Sequence, residues 1–235
     1  MEIEPLYRIQ VACPCCSKPF MTSRVRSSFK RALRTDTDFC GHYRERANPD
    51  YYVVRVCPAC GYASTENSLA KLSARQRQAY EERLGSKWVG RDYGGERTAN
   101  QAIECYKLAL MTSQAVGEND RLIAGILHHL AWLYRELGDT EAEMKFMRFA
   151  LDAYVKVYEE GDGSGSDARL MYLIGELNRR LGDRNEAVRW FSRVVRDERI
   201  VDSAMIRACR EQWQLIREEQ AGPGQPLQAG DGSGR

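Results

Sequence analysis

Two cysteine pairs of one spacing restrict this chain more than any other feature: Cys13-Pro14-Cys15-Cys16 and Cys57-Pro58-Ala59-Cys60-Gly61, with 40 residues between them. Each pair offers thiols at i and i+3. A tight turn at that spacing brings two sulfurs to one side, about 2.3 Å from a single ion, and two such turns complete a tetrahedral Zn(II) site with no open position. Cys13, Cys16, Cys57 and Cys60 are therefore expected to hold a structural zinc. Gly61 is placed to supply the positive φ that turns backbone N–H groups toward the thiolates, and Lys18-Pro19-Phe20 leads away from the first turn as a strand. The strand-forming runs Tyr7 to Ala12 and Tyr51 to Val56 feed the two turns, which makes a zinc ribbon the natural shape. The competing reading of Cys-Pro-x-Cys is a redox dithiol, but that site opens a helix in a βαβ setting, whereas Lys-Pro-Phe and Gly-Tyr-Ala suit turns. Cys15 stands at i+2 from Cys13 and is read as a packed or exposed thiol.

Six of the eight cysteines fall in the first 60 residues, and Met1-Glu2-Ile3-Glu4-Pro5 has no basic segment leading into an apolar run. No stretch approaches the roughly 18 apolar residues of a membrane span. The expectation is a cytoplasmic chain with reduced thiols and no membrane partner. The net charge of +2 carries no polyelectrolyte character, so any charged partner must be read locally.

Between the two cysteine turns lies Thr35-Asp36-Thr37-Asp38-Phe39-Cys40-Gly41-His42. Asp36, Asp38, Cys40 and His42 form a possible second metal site or catalytic cluster; the plainer reading is a turn with a small packed thiol. Upstream, Arg24, Arg26, Lys30, Arg31 and Arg34 accompany Phe20 and Phe29. Basic residues outnumber acidic ones by 10 to 6 over residues 1–62, against 25 to 27 in the remainder. That flank makes nucleic-acid contact an alternative, although a chain with 28 Arg and 7 Lys places solvated arginines widely.

Residues 1–65 read as the zinc-ribbon-like module, 66–96 as a junction with a helix near Ser73 to Leu84, 97–219 as amphipathic helices, and 220–235 as a tail without apolar residues to bury, expected to be disordered. Gly161-Asp162-Gly163-Ser164-Gly165-Ser166 is expected as a loop. In the helical part, Leu137-Gly138-Asp139 and Leu181-Gly182-Asp183 recur 44 residues apart, and without gaps Leu130 aligns with Ile174, Ala131 with Gly175, Phe146 with Trp190, Met147 with Phe191 and Leu151 with Val195. Such self-similarity implies stacked helical hairpins, with a small residue on one helix admitting an aromatic from the next. Ala102 to Leu110 is an earlier half-copy. The adjacent His128 and His129 point about 100° apart on a helix, so one is expected exposed and one packed. Cys105 and Cys209 read as core. No phosphate loop, nucleophile elbow or His-Glu-x-x-His motif is present.

These helical phrases resemble the tetratricopeptide repeat, at a period of 44 rather than the usual 34 or so, the surplus falling to a longer second helix. The resemblance implies a concave surface that holds a peptide or partner helix. The wider set of Cys13-Pro-x-Cys16, Arg26-Ser27, Thr35 to Cys40, Asn48-Pro49, Tyr51-Tyr52, Val56 to Ala63 and Leu130 to Arg135 resembles a bacterial domain-of-unknown-function family, number 2225. That resemblance reaches to about residue 218, implies the zinc-plus-helical-repeat layout and marks Asp-x-Asp-Phe-Cys as a signature, without supplying an activity. The resulting expectation is an α+β, mainly α chain: a small zinc ribbon followed by a tetratricopeptide-like hairpin array. It would act as an adaptor or scaffold for a protein or peptide, with an enzyme built on Asp36, Asp38, Cys40 and His42 as an alternative. Oligomeric state is not encoded in any motif.

Overall fold

The computed structural model describes residues 3–43, 48–161 and 167–221. It is mainly helical, with short antiparallel strand pairs near the N-terminus, and divides into two compact units, Met1–Gly161 and Asp162–Arg235.

In the first unit, each cysteine turn is the connection of a β-hairpin. Strands β1 (Leu6–Ala12) and β2 (Pro19–Val25) pair from Leu6↔Val25 to Ala12↔Pro19, with the first turn between them. A small hairpin of β3 (Arg34–Thr35) and β4 (Gly41–His42) follows. Then β5 (Arg55–Val56) and β6 (Ala63–Ser64) flank the second turn. The strand expected over Tyr51 to Val56 is confined to its last two residues. Pro49–Tyr52 forms a 3₁₀ turn instead, because Asn48 Oδ1 accepts from the Asp50 N–H at 2.9 Å and Pro49 sits where no donor is needed. This buries Tyr52 beside Val25.

Helix α1 (Ala74–Arg83) starts at a reciprocal Ser73/Gln76 cap, and α2 (Ala99–Val116) at an equivalent Thr98/Gln101 cap. α2 ends at Gly117 with φ 68°, a conformation open to glycine. α3 (Asp120–Glu136) and α4 (Thr140–Glu160) complete the unit, capped by Asn119 and Asp139. Val54, Val56 and Ala63 from the second cysteine hairpin lie in one core with Ala102, Ile103, Tyr106 and Ala109 of α2 and Ile126, Leu130 and Leu133 of α3. An apolar core therefore runs across residue 65, where composition alone suggests a boundary. Buried Arg97 straps the junction: Nη1 donates to the carbonyls of Tyr51 (2.8 Å) and Val54 (2.7 Å), and Nε to that of Tyr93 (2.7 Å).

The second unit holds α5 (Ala168–Arg180), α6 (Arg184–Arg196) and α7 (Ser203–Ala221). Gly175 on α5 faces Phe191 on α6, and a Cβ at Gly175 would lie 2.6 Å from the ring. The small residue thus admits the aromatic, as the repeat alignment implies. Both Leu-Gly-Asp turns are built alike. Gly138 (φ 72°) and Gly182 (φ 92°) take the left-handed position, and the Asp139 and Asp183 N–H groups reach back to the carbonyls of Tyr134 (3.0 Å) and Asn178 (2.9 Å). Each aspartate then caps the next helix, on Ala142 and Glu186. The Gly-Ser loop at 162–166 and the tail at 222–235 lie outside the described residues. Among the described residues, no helix is long and apolar enough to cross a membrane.

Candidate metal centre

The two hairpin connections bring Cys13, Cys16, Cys57 and Cys60 together, with all four sulfurs within 4.8 Å of one another. Cys13 Sγ lies 3.6 Å from Cys60 Sγ, and Cys16 Sγ lies 3.7 Å from Cys57 Sγ. A tetrahedron with metal–sulfur bonds of about 2.3 Å has edges of about 3.8 Å, so the cluster can hold a metal ion as it stands.

The turns are near copies. Ser17 N–H bonds the Cys13 carbonyl at 3.0 Å, and Gly61 N–H bonds the Cys57 carbonyl at 2.8 Å. Both residues have positive φ, 61° and 74°. Gly61 has a second reason to be glycine, since a Cβ there would lie 2.5 Å from the Trp88 indole. That indole N–H donates to the Pro58 carbonyl at 2.9 Å, and Tyr80 O–H donates to the Cys60 carbonyl at 2.8 Å, so α1 and its following turn lock the second knuckle. Backbone N–H groups of Cys15 and Cys16 bond Cys13, and those of Ala59 and Cys60 bond Cys57.

The Cys13 thiol is drawn down to about 5, chiefly by the hydrogen bond from Cys60 and further by the Cys16 and Cys15 N–H groups, with burial opposing. The same contact with Cys13 pushes Cys60 up, followed by burial. Burial raises Cys57 to about 11. Metal capture by such a cluster deprotonates the thiols and releases their protons. Cys15 is buried beside the cluster among Phe20, Tyr62, Leu72 and Tyr80 and is raised to about 11 by burial: a packed thiol. Cys105 and Cys209 are core residues of their helices, fully buried.

The Asp-x-Asp-Phe-Cys segment is the loop of the β3–β4 hairpin. Asp36 N–H bonds the Cys40 carbonyl (2.8 Å), Phe39 N–H bonds the Asp36 carbonyl (2.9 Å), and Phe39 takes φ 69°. The four residues singled out here divide into two tasks. Asp38, fully buried, faces α3: Arg135 donates to it through Nη2 (2.7 Å) and Nη1 (3.1 Å), and Trp132 Nε1 at 3.2 Å. Arg135 Nη1 also reaches Asp36 Oδ2 at 3.0 Å and its Nε reaches Glu143 at 2.7 Å. Asp36, Cys40 and His42 instead form a second group of potential ligands within 4.8 Å of one another. Burial pushes the Cys40 thiol up to about 12. Cys40 and His42 border a cleft of about 210 Å³, lined also by Tyr51, Arg97, Trp132 and Glu136.

Arg135 and Trp132 are the residues that sequence reasoning missed. Their signal is an i, i+3 pair on the face of α3 turned away from the apolar stripe. His128 is buried, with Nε2 3.5 Å from Asp38 Oδ2, whereas His129, where one of the pair is expected exposed, is half-buried against Tyr106 and Trp132. In the basic flank, Arg24 pairs with Glu66, while Arg26 donates to the Glu4 carbonyl and lies over the Tyr7 ring.

A four-cysteine knuckle pair seated on helical hairpins defines a protein with a closed candidate metal centre. The chain belongs to the family described as an uncharacterized protein conserved in bacteria, DUF2225, whose model matches residues 6–216. No curated protein and no solved structure matches it.

Proposed function

We propose that this protein is a zinc-stabilised cytoplasmic adaptor whose tetratricopeptide-like hairpins recognise a protein or peptide partner. The observation that carries the reading is closure of the four-sulfur cluster. Sulfur–sulfur spacings of 3.6 and 3.7 Å, with Cys13 and Cys57 buried, leave a bound ion no position for substrate, so Zn(II) there acts on stability. The shared Leu-Gly-Asp construction of the two hairpins supports the repeat reading, and Phe149, 45% exposed on α4, supplies an outward apolar contact. The nucleic-acid alternative is less favoured, because Arg24 and Arg26 already have partners within the chain.

The test is affinity capture of the tagged chain from its host, with and without nuclease, beside Phe149→Glu. A stoichiometric protein that survives nuclease and is lost in the variant is expected. Recovery dominated by nuclease-sensitive material would overturn the adaptor reading in favour of the basic flank.

A further inference from the structure

We propose a second metal site, open to solvent, formed by Asp36 Oδ1, Cys40 Sγ and His42 Nε2, taking a divalent first-row ion of the Zn(II) type. It is separate from the four-cysteine centre and does not depend on the adaptor reading.

The hairpin itself places the donors. Asp36 and Cys40 are the residues that close the β3–β4 loop, and His42 lies two further along the strand, so the side-chain period of two turns Cys40 and His42 to one face. All three donors lie within 4.8 Å of one another, and His42 Nε2 lies 2.9 Å from Asp36 Oδ1. Bonds of about 2.0–2.3 Å to carboxylate, imidazole and thiolate require donor separations a little over 3 Å, which a small inward movement of Cys40 provides.

Charge supports a cation here. Asp36, Asp38 and Glu143 all contact Arg135, so three carboxylates share one guanidinium. His128, a basic group in contact with Asp38, is kept toward its neutral form chiefly by burial. These neighbouring carboxylates favour a divalent cation at the donor group.

The second sphere is also present. Arg135 holds the other oxygen of Asp36 at 3.0 Å, fixing which oxygen faces His42. Asp38 is engaged by Arg135 and Trp132 and acts as a positioning residue rather than a ligand.

Three protein ligands leave a fourth position, which distinguishes this site from the closed one. Cys40 and His42 both line the 210 Å³ cleft, so that position is within reach of water or a small ligand. On ligation Cys40 gives up its thiol proton to solvent and binds as thiolate.

The test uses the full chain, stripped by chelator and titrated with Zn(II), then with Co(II). Wild type is expected to take up two equivalents. Cys40→Ala and His42→Gln are each expected to take up one, and the Co(II) difference spectrum between wild type and Cys40→Ala should carry a single-thiolate charge-transfer band. His42→Gln keeps a polar group beside Asp36. Metal-free thermal unfolding of both variants checks that a lost equivalent is not lost structure. Wild type saturating at one equivalent, with the four-thiolate Co(II) spectrum intact, would overturn the second site while leaving the closed centre standing. Retention of two equivalents by both variants would overturn the ligand assignment.

Discussion

The cysteine knuckles and the Asp36–His42 hairpin lie in the same first 60 residues, yet they are held in different ways. Each knuckle is closed by its own backbone, through bonds such as Ser17 to Cys13 and Gly61 to Cys57, and the four sulfurs complete each other. The β3–β4 hairpin has two short strands, and its key aspartates are held by Arg135, 97 and 99 residues away. A metal centre assembled from local turns can be recognised from spacing. A cluster assembled across a tertiary contact has no such spacing.

The largest expected effect is at the first of these. Cys57→Ser should abolish metal binding at the four-cysteine centre, a contribution of about 10–16 kcal/mol in zinc-finger peptides near neutral pH. Because the second cysteine hairpin shares a core with α2 and α3, we expect hydrogen exchange to accelerate through Met1–Gly161 while α5–α7 keep their protection. Loss confined to residues 1–65 would show that the knuckles unfold alone.

Arg135→Ala tests the long-range member. It takes the guanidinium from the fully buried Asp38 carboxylate and should cost about 3–5 kcal/mol in denaturant unfolding. A loss below about 1 kcal/mol would place the contact with exposed ion pairs.

A smaller effect sharpens the comparison between the two hairpins. Gly175→Ala puts a Cβ 2.6 Å from Phe191 and should destabilise the second unit by about 1–3 kcal/mol, read as a shift in its denaturant midpoint. The aligned position in the first unit is already Ala131, fully buried, and the residue aligned with Phe191 is the unbranched, adaptable Met147.

The smallest expected effect is on pH dependence. Burial lowers the pKa of His128 in the folded state, while the unfolded chain titrates at about 6.5. The unfolded state therefore binds more protons as pH falls, so the stability contribution is present above about 6.5 and lost as pH drops toward the folded value. Thermal midpoints measured from pH 8 to 5 should fall less steeply in His128→Phe than in wild type. Equal slopes would remove His128 as the source.

Legibility followed the same division. The Leu-Gly-Asp turns and the small-residue partner of Phe191 are encoded within a few residues and could be read directly. Tyr51 and Tyr52 have high strand propensity, yet Asn48 and Pro49 set the local backbone first and the run became a 3₁₀ turn. Asp36, Asp38, Cys40 and His42 could be named as a cluster from composition. Dividing them between clamp and donors required knowing where α3 lies.

The sequence by itself determined the four cysteines that cluster, the hairpin turns and the family, because each rests on spacing or on short segments whose backbone bonds close locally. Only the tertiary structure decided that the cysteine hairpins and α1–α4 form one compact unit, that Arg135 is the partner of Asp38, and that Asp36, Cys40 and His42 converge beside a cleft. The physical reason is the range of the forces concerned. Turn geometry is set by neighbouring dihedrals, whereas buried charges and apolar surface are satisfied by whichever distant element the packing of the core delivers.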